Sequence, residues 1–219
     1  MVKKQNKILI TGSSSKISDE LLKILPKKNK IKLLTKDIID MSDLTGLKKN
    51  LKFFLNFNCI VFLHGKLIAK QHNQKTSKEI LDQININLLS IIEICEFVIR
   101  KKKKIKIIIL GSESGIKGSY DKAYFLSKSA LHHYIKEKKI KYRHQQIIGI
   151  APSTIQDANM TIKRNDKKNI IKSKQINPKK RLIKSKEVAY LIKYLIFDIS
   201  DYISNIVIGF DGGKFSRMN

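Results

Sequence analysis

The 219-residue chain has no tryptophan, three prolines, two cysteines and, among 45 basic residues, only five arginines. Cys59 and Cys95 sit singly inside apolar stretches, which excludes a disulfide framework and offers no zinc spacing; buried reduced thiols are expected. No apolar run approaches the roughly 18 residues of a membrane span, and Ile8-Leu9-Ile10 is too short for the apolar part of a signal peptide. The expectation is a cytoplasmic protein with no membrane partner. Acidic residues are also scarce, 18 in number, which leaves a net charge of +27. A basic excess of that size points to nucleic acid, but 40 of the basic residues are lysine, and they accompany 38 isoleucines and frequent asparagine. These residues have the codons richest in A and T, so base composition accounts for the skew. Readers of bases and clamps of phosphate favour arginine, whose planar fork binds in two places. No specific nucleic-acid partner is therefore expected, and Lys101 to Lys104, the one dense basic run, reads as a solvated helix end.

What is present is an apolar share of 42%, enough for a full core, so global disorder is excluded. Short apolar runs alternate with longer segments of helical period, the sequence form of a βαβ series. Strands are expected at Lys7 to Thr11, Ile31 to Thr35, Cys59 to Leu63, Ile105 to Leu110, Gln146 to Ile150 and Ile206 to Phe210. Most are apolar on both faces and need helices on both sides. Helices are expected from about Ser77 to Arg100, Asp121 to Lys138 and Ser185 to Phe197, with a further one capped by Ser18 and ended before Pro26. Residues 156–178 are polar, lysine-rich and aperiodic, a long loop or helical excursion of the kind that forms lids. The length fits one domain spanning residues 1–219, a doubly wound α/β fold with a mostly parallel sheet of about seven strands. No internal repeat is apparent.

Two segments carry chemistry. The first strand runs into Thr11-Gly12-Ser13-Ser14-Ser15-Lys16-Ile17-Ser18 and then a helix, a turn that presents backbone N–H groups and a helix N-terminus to a pyrophosphate. The fourth strand ends in Gly111-Ser112-Glu113-Ser114-Gly115-Ile116-Lys117-Gly118, whose spacing fails the nucleotide-triphosphate loop. On the helix that follows, Tyr124 and Lys128 are four apart and share a face.

Taken together these segments resemble the short-chain dehydrogenase/reductase family, whose cofactor turn reads Thr-Gly-x-x-x-Gly-x-Gly. Gly12 matches the first glycine, while Lys16 and Ser18 stand at the second and third. Lys16 would bring a cation to the phosphate, and Ser18 is small enough for close helix packing. The resemblance assigns the turn, Gly12, Ser14, Ser15, Lys16 and Ile17, to cofactor binding. In Phe62-Leu63-His64-Gly65 only Gly65 matches the family's Asn-Asn-Ala-Gly, and His64 reads as a structural residue. Thr35-Lys36 stands where an acidic residue would grip the ribose of NAD; the Lys36 ammonium suits a 2′-phosphate, favouring NADP(H) over NAD(H). Asp40, in Asp40-Met41-Ser42-Asp43, resembles the Asp that contacts the adenine.

The family's roles then fall on Tyr124 as general acid/base, Lys128 as ribose anchor and modulator of the phenol, and Ser112, with Ser114 as rival, as polariser of a carbonyl. A neighbouring ammonium and an oxidised nicotinamide both favour the tyrosinate. Asn87, with Asn85 as rival, is the Asn of the proton relay. Ala151-Pro152-Ser153-Thr154-Ile155 resembles the segment at the nicotinamide, with Ile155 on the carboxamide. Glu187-Val188-Ala189, Tyr202-Ile203 and Asp211-Gly212-Gly213 resemble the C-terminal block. The resemblance implies a Rossmann-type domain that moves a hydride between NADP(H) or NAD(H) and a small-molecule carbonyl/alcohol pair, assembled as a homodimer or homotetramer through its two long helices. Lys163, Arg164, Lys167, Lys168, Lys172 and Lys174 in the lid point to a phosphorylated, nucleotide-linked or carrier-bound substrate. Set against this are a non-catalytic relative with a degenerate turn, opposed by the joint retention of Ser112, Tyr124 and Lys128; a nucleotide-sugar epimerase or dehydratase, for which the chain is too short; and a nucleic-acid binder, which rests on charge alone.

Overall fold

A computed structural model describes residues 6–68, 74–163 and 166–215. Six strands, β1 (Lys7–Thr11), β2 (Lys30–Leu34), β3 (Cys59–Phe62), β4 (Lys104–Leu110), β5 (His144–Pro152) and β6 (Ile206–Phe210), form one parallel sheet in the order β2-β1-β3-β4-β5-β6. The expectation was about seven. Successive residues face opposite layers. Ile8 and Ile10 of β1 and Cys59 and Val61 of β3 enter one apolar cluster, with α1 (Lys16–Ile24) and α9 (Ser185–Phe197) over it. Leu9, Ile60 and Phe62 enter the other, under α2 (Leu44–Lys49), the 3-10 segment Leu51–Asn56, α4 (Ser90–Lys101) and α6 (Lys122–Glu137). A sheet apolar on both faces and covered on both is what the uninterrupted Ile and Leu runs demand.

Two local expectations are corrected. Helix α1 begins three residues earlier than expected, capped by Ser15, whose Oγ accepts the Ser18 N–H (3.2 Å); Ser18 is inside the helix and fully buried, its hydroxyl without a partner among the described residues. The long helix after β3 is three pieces: α3 (Ser77–Ile84), begun by a Thr76–Glu79 capping box, a π turn at Asn85–Leu89, and α4. Of the two readings of the lid, the helical excursion is the one found, as α7 (Asn159–Ile162) and α8 (Lys167–Ile176); its Arg164 lies outside the described residues.

Strand order reverses beside β1, and the segments leaving β1 and β3 diverge there to open a crevice. Gly12 makes the divergence tight. Its φ is +68°, and a β-carbon on it would stand 2.5 Å from the His64 backbone nitrogen. Both the left-handed backbone and the contact exclude a side chain. Gly12→Ala is therefore expected to cost about 3 kcal/mol of stability. A urea midpoint within experimental error of the parent would show that the turn tolerates a side chain.

Candidate active site

The crevice is a cavity of about 1100 Å³, bounded by the β1–α1 turn, the ends of β3 and β4, α6 and the lid. That volume accommodates a dinucleotide together with a small second ligand. At one end, the N–H groups of Lys16 and Ile17 belong to the first turn of α1, where no intrahelical acceptor exists, and both residues line the cavity. Ser14 lies beneath the lid, its carbonyl accepting from Asn159 Nδ2 at 3.3 Å. The Lys16 side chain runs along its own helix to Glu20 (3.6 Å), a half-exposed surface pair. Lys36 is 78% exposed at the end of β2 and pairs with Asp40 Oδ2 at 3.3 Å. The other Asp40 oxygen accepts the N–H (2.8 Å) and hydroxyl (2.7 Å) of Ser42, which fixes the carboxylate facing the cavity. A turn with a free helix N-terminus, an obligatory glycine and a rim bearing an exposed ammonium fits a nicotinamide dinucleotide.

At the other end, α6 places Tyr124 and Lys128 one turn apart, 8% and 2% exposed, under the cavity. Lys128 Nζ donates to the Leu110 carbonyl at 2.8 Å and stands 5.9 Å from the Tyr124 ring centre. Burial drops its pKa to about 8. Burial raises the Tyr124 phenol, a hydrogen bond from Ser112 lowers it, and Asp121, Tyr120 and Glu113 raise it again; the net direction is upward. The tyrosinate expected from sequence is thus not the form this pocket favours by itself. The phenol is the protonated form, a proton donor.

Between the two serine rivals, Ser112 is the one whose side chain acts on the Tyr124 phenol, favouring its ionised form, and its Oγ accepts the Ser114 N–H (3.1 Å). Of the two asparagines, Asn85 donates to the Ser42 carbonyl (2.9 Å), whereas Asn87 is fully buried in the π turn and grips Lys66, accepting its N–H and donating to its C=O, both at 2.8 Å. Asn87 Oδ1 and Lys128 Nζ converge on Gly65, 3.2 and 3.8 Å from the place of its missing β-carbon. Ile155 is buried at the cavity wall, bridged to Ile183. His64 has Thr11 Oγ1 at 2.6 Å from one ring nitrogen and Ser90 Oγ at 3.4 Å from the other, and burial with the Lys128 charge pushes its pKa to about 3. A neutral ring engaged on both sides has the structural role expected for it.

Several side chains at the site were not expected. His132, one turn beyond Lys128, is buried, and its Nε2 accepts the Ser112 N–H at 3.3 Å; burial, with Lys128, lowers its pKa to about 4, keeping it a neutral acceptor. The helical spacing of Tyr124, Lys128 and His132 was the available signal. Glu113 is 4% exposed and pairs with Lys214 (3.0 Å) from the C-terminal segment and with Lys117 (2.8 Å). Lys75 and Asp121 form an ion pair with both side chains fully buried. The pairs of Lys214 and Lys75 join residues far apart in a chain full of lysine, and no local signal singles them out.

The fold and the crevice define the class: a single-layer parallel sheet with helices on both sides and a dinucleotide-sized site at its switch point. A family model described as enoyl-(acyl carrier protein) reductase matches residues 5–214. No curated protein matches the sequence. Similar solved structures include a short chain dehydrogenase family protein from Francisella tularensis subsp. tularensis SCHU S4, 19% identical, with 98% of this chain and 100% of that one covered and a TM-score of 0.82. The ligand-free aldohexose dehydrogenase of Thermoplasma acidophilum is 19% identical, with 98% and 96% covered and a TM-score of 0.80. ElxO with NADP bound is 18% identical, with 98% and 100% covered and a TM-score of 0.81. The chain belongs to the short-chain dehydrogenase/reductase family, and it is an NAD(P)-dependent oxidoreductase.

The buried ammonium has a thermodynamic signature. With a folded pKa of about 8 against 10.5 unfolded, Lys128 destabilises the fold below pH 8, and that cost disappears as pH rises toward 10.5. The shift is worth about 3 kcal/mol, less about 1 kcal/mol for the bond to Leu110. Lys128→Met should therefore stabilise the protein at pH 7 by about 2 kcal/mol and by much less at pH 9.5. Equal effects in urea titrations at the two pH values would show that the charge is not desolvated.

Proposed function

We propose that the protein reduces a carbonyl compound to an alcohol with NADPH, with Tyr124 as proton donor. The observation that carries this reading is the convergence on one crevice of the buried Tyr124 phenol, Ser112 and the Lys128 ammonium, 5.9 Å from the tyrosine ring. Bound along the crevice, a reduced nicotinamide dinucleotide supplies the hydride that reaches the carbonyl carbon. Ser112 Oγ donates a hydrogen bond to the carbonyl oxygen and concentrates positive charge on the carbon. Tyr124 Oη gives its proton to that oxygen as the alcohol forms, and Lys128 stabilises the phenolate left behind. Lys128 also has two further N–H donors for a ribose. Asn87, locked to Lys66 and converging with Lys128 on Gly65, lies on the path by which the proton is returned.

Gly12, Ser14, Ser15, Lys16 and Ile17 form the pyrophosphate seat, Gly65 and Ile155 border the nicotinamide, and Asp40 faces the adenine. Lys36 meets the 2′-phosphate. Its bond to Asp40 is an exposed pair worth at most about 1 kcal/mol, readily given up for a phosphate. The substrate enters beneath α7 and α8, and the lysines of α8 suit an anionic or carrier-linked molecule. The single domain works as a homodimer or homotetramer: Leu81, Leu89 and Leu126 lie exposed on α3, the π turn and α6. Two buried, unpaired thiols suit the reducing cytoplasm.

Tyr124→Phe should lower kcat by about 10²- to 10⁴-fold in a panel of carbonyl substrates while leaving the Kd for NADPH, read by nicotinamide fluorescence, unchanged. Retained turnover in that variant would remove Tyr124 from the chemistry. Lys36→Glu should weaken NADPH binding at least tenfold and spare NADH. An unchanged ratio of the two affinities would place the 2′-phosphate elsewhere.

A further inference from the structure

Beneath the reactive end of the crevice lies a polar cluster that the proposed chemistry does not use. Asp121 caps α6 and has a fully buried side chain. One of its oxygens accepts the Tyr124 N–H (3.1 Å) and the Lys75 ammonium. The other accepts Gln83 Nε2 (2.5 Å) and the Ile68 N–H (3.1 Å). Gln83, itself fully buried, accepts from Lys75 Nζ (3.2 Å) and donates to the Lys66 carbonyl (3.1 Å). One helical turn further, Asn87 holds both backbone groups of that same Lys66. Every lone pair of the carboxylate is engaged, and the cluster joins the segment after β3, helix α3 and the first turn of α6.

A helix start needs nothing so elaborate. A serine or asparagine cap is worth as much, and a buried ion pair contributes little net stability because desolvation cancels most of its attraction. Its effect is positional and electrostatic. The carboxylate is three residues before Tyr124 and opposes ionisation of its phenol. Glu113 and Tyr120 act in the same sense, Ser112 opposes them, and Lys128 is 5.9 Å from the ring. Lys75 is the cation in contact with the carboxylate.

We propose that Lys75, Asp121 and Gln83 are positioning residues for Tyr124: they clamp the first turn of α6 against the segment after β3, and the Lys75 charge offsets that of Asp121 at the phenol. The inference rests on the reading of Tyr124 as the proton donor, and the two fail separately. A wild-type protein without turnover, or an active Tyr124→Phe variant, would defeat the donor reading, whereas the cluster is tested by the titration of Tyr124 itself.

The experiment uses full-length protein labelled at the tyrosine ζ-carbon, with the Tyr124 resonance assigned by its loss in Tyr124→Phe. In Lys75→Met the unopposed carboxylate should move the Tyr124 titration to higher pH by about one unit, and kcat should fall about tenfold with little change in KM. In Asp121→Asn, where the amide still accepts the Tyr124 N–H and the ammonium is unopposed, the titration should move to lower pH. In the double variant both charges are gone, and the titration should return to within a few tenths of the wild-type value. A merely structural cluster would lower activity in all three without opposite shifts. If Lys75→Met does not fold, the comparison of Asp121→Asn with the double variant decides the matter. A Tyr124 titration unmoved in the single variants, or moved the same way in both, overturns the proposal.

Discussion

The contact of Gly12 with the backbone of His64 is the constraint from which the rest of the site follows. Thr11 of β1 is in register with Phe62 of β3, so the two chains leave the sheet side by side and must part at once. They do so by placing a residue without a side chain, at φ +68°, against the neighbouring backbone. Thr11 Oγ1 accepts the Leu63 N–H (3.3 Å) and meets His64 Nδ1 (2.6 Å), tying the diverging segments together. From His64 the connection passes to Ser90, the first residue of α4, whose hydroxyl donates to the Ile86 carbonyl in the π turn. That turn carries Asn87. A single close approach at the switch point thus sets both the helix N-terminus offered to phosphate and the asparagine at the opposite end of the crevice.

Charge buried away from water is the second organising element, and it is confined to few places. A lysine ammonium in an apolar environment gives up hydration that one neutral hydrogen bond does not restore, which is why burial brings Lys128 to about 8. Asp121 shows the opposite balance. Burial raises its carboxyl, but Gln83, Lys75 and the Tyr124 and Ile68 N–H groups outweigh burial and hold it below the usual carboxylate range. Glu113 joins the Ser112 loop to the C-terminal segment through Lys214, while Ser173 of α8 is 3.3 Å from Thr154 and 3.4 Å from Lys214. The lid, the chain end and the serine loop therefore meet around one carboxylate. Desolvated charge is tolerated here because it orients side chains that must face one another across a cavity.

Much of this was legible in the sequence. Strand β1 has the expected ends because a parallel strand covered on both faces is an uninterrupted apolar run with polar residues at either side, and the half-buried edge strand β6 has them because its apolar run is bounded by Asn205 and Asp211. Tyr124, Lys128 and Ser112 meet because a four-residue helical interval and a strand terminus are local features. The π turn left no trace: one extra residue in a helix barely disturbs an apolar period, and only the Ser90 N–H bonded five residues back to the Asn85 carbonyl reveals it. Helix α2 and the 3-10 segment escaped notice because they are short, although Asp43, accepting the Thr45 and Gly46 N–H groups, is an ordinary capping signal. The Ser18 cap was misplaced because four of the six residues from 13 to 18 are serine, and any of them has the chemistry of a cap. In a chain with 40 lysines no pattern tells Lys75 or Lys214 from the others; only the folded arrangement removes them from water.

That same abundance separates two meanings of charge. A surface lysine contributes to the field around the molecule and little else, whereas a buried one acquires a fixed partner, Asp121 for Lys75 and the Leu110 carbonyl for Lys128. The net +27 is therefore no guide to which lysines act, yet it has a physical consequence of its own. Dinucleotide cofactors are polyanions, and a strongly positive surface raises their encounter rate whatever drove the composition. Lys16, paired with Glu20, and Lys36, paired with Asp40, belong to this exposed population at the crevice. Orientation of the reacting groups falls to the few buried charges. Long-range capture and short-range placement are thus divided between two populations of the same residue, and salt acts on the first far more than on the second.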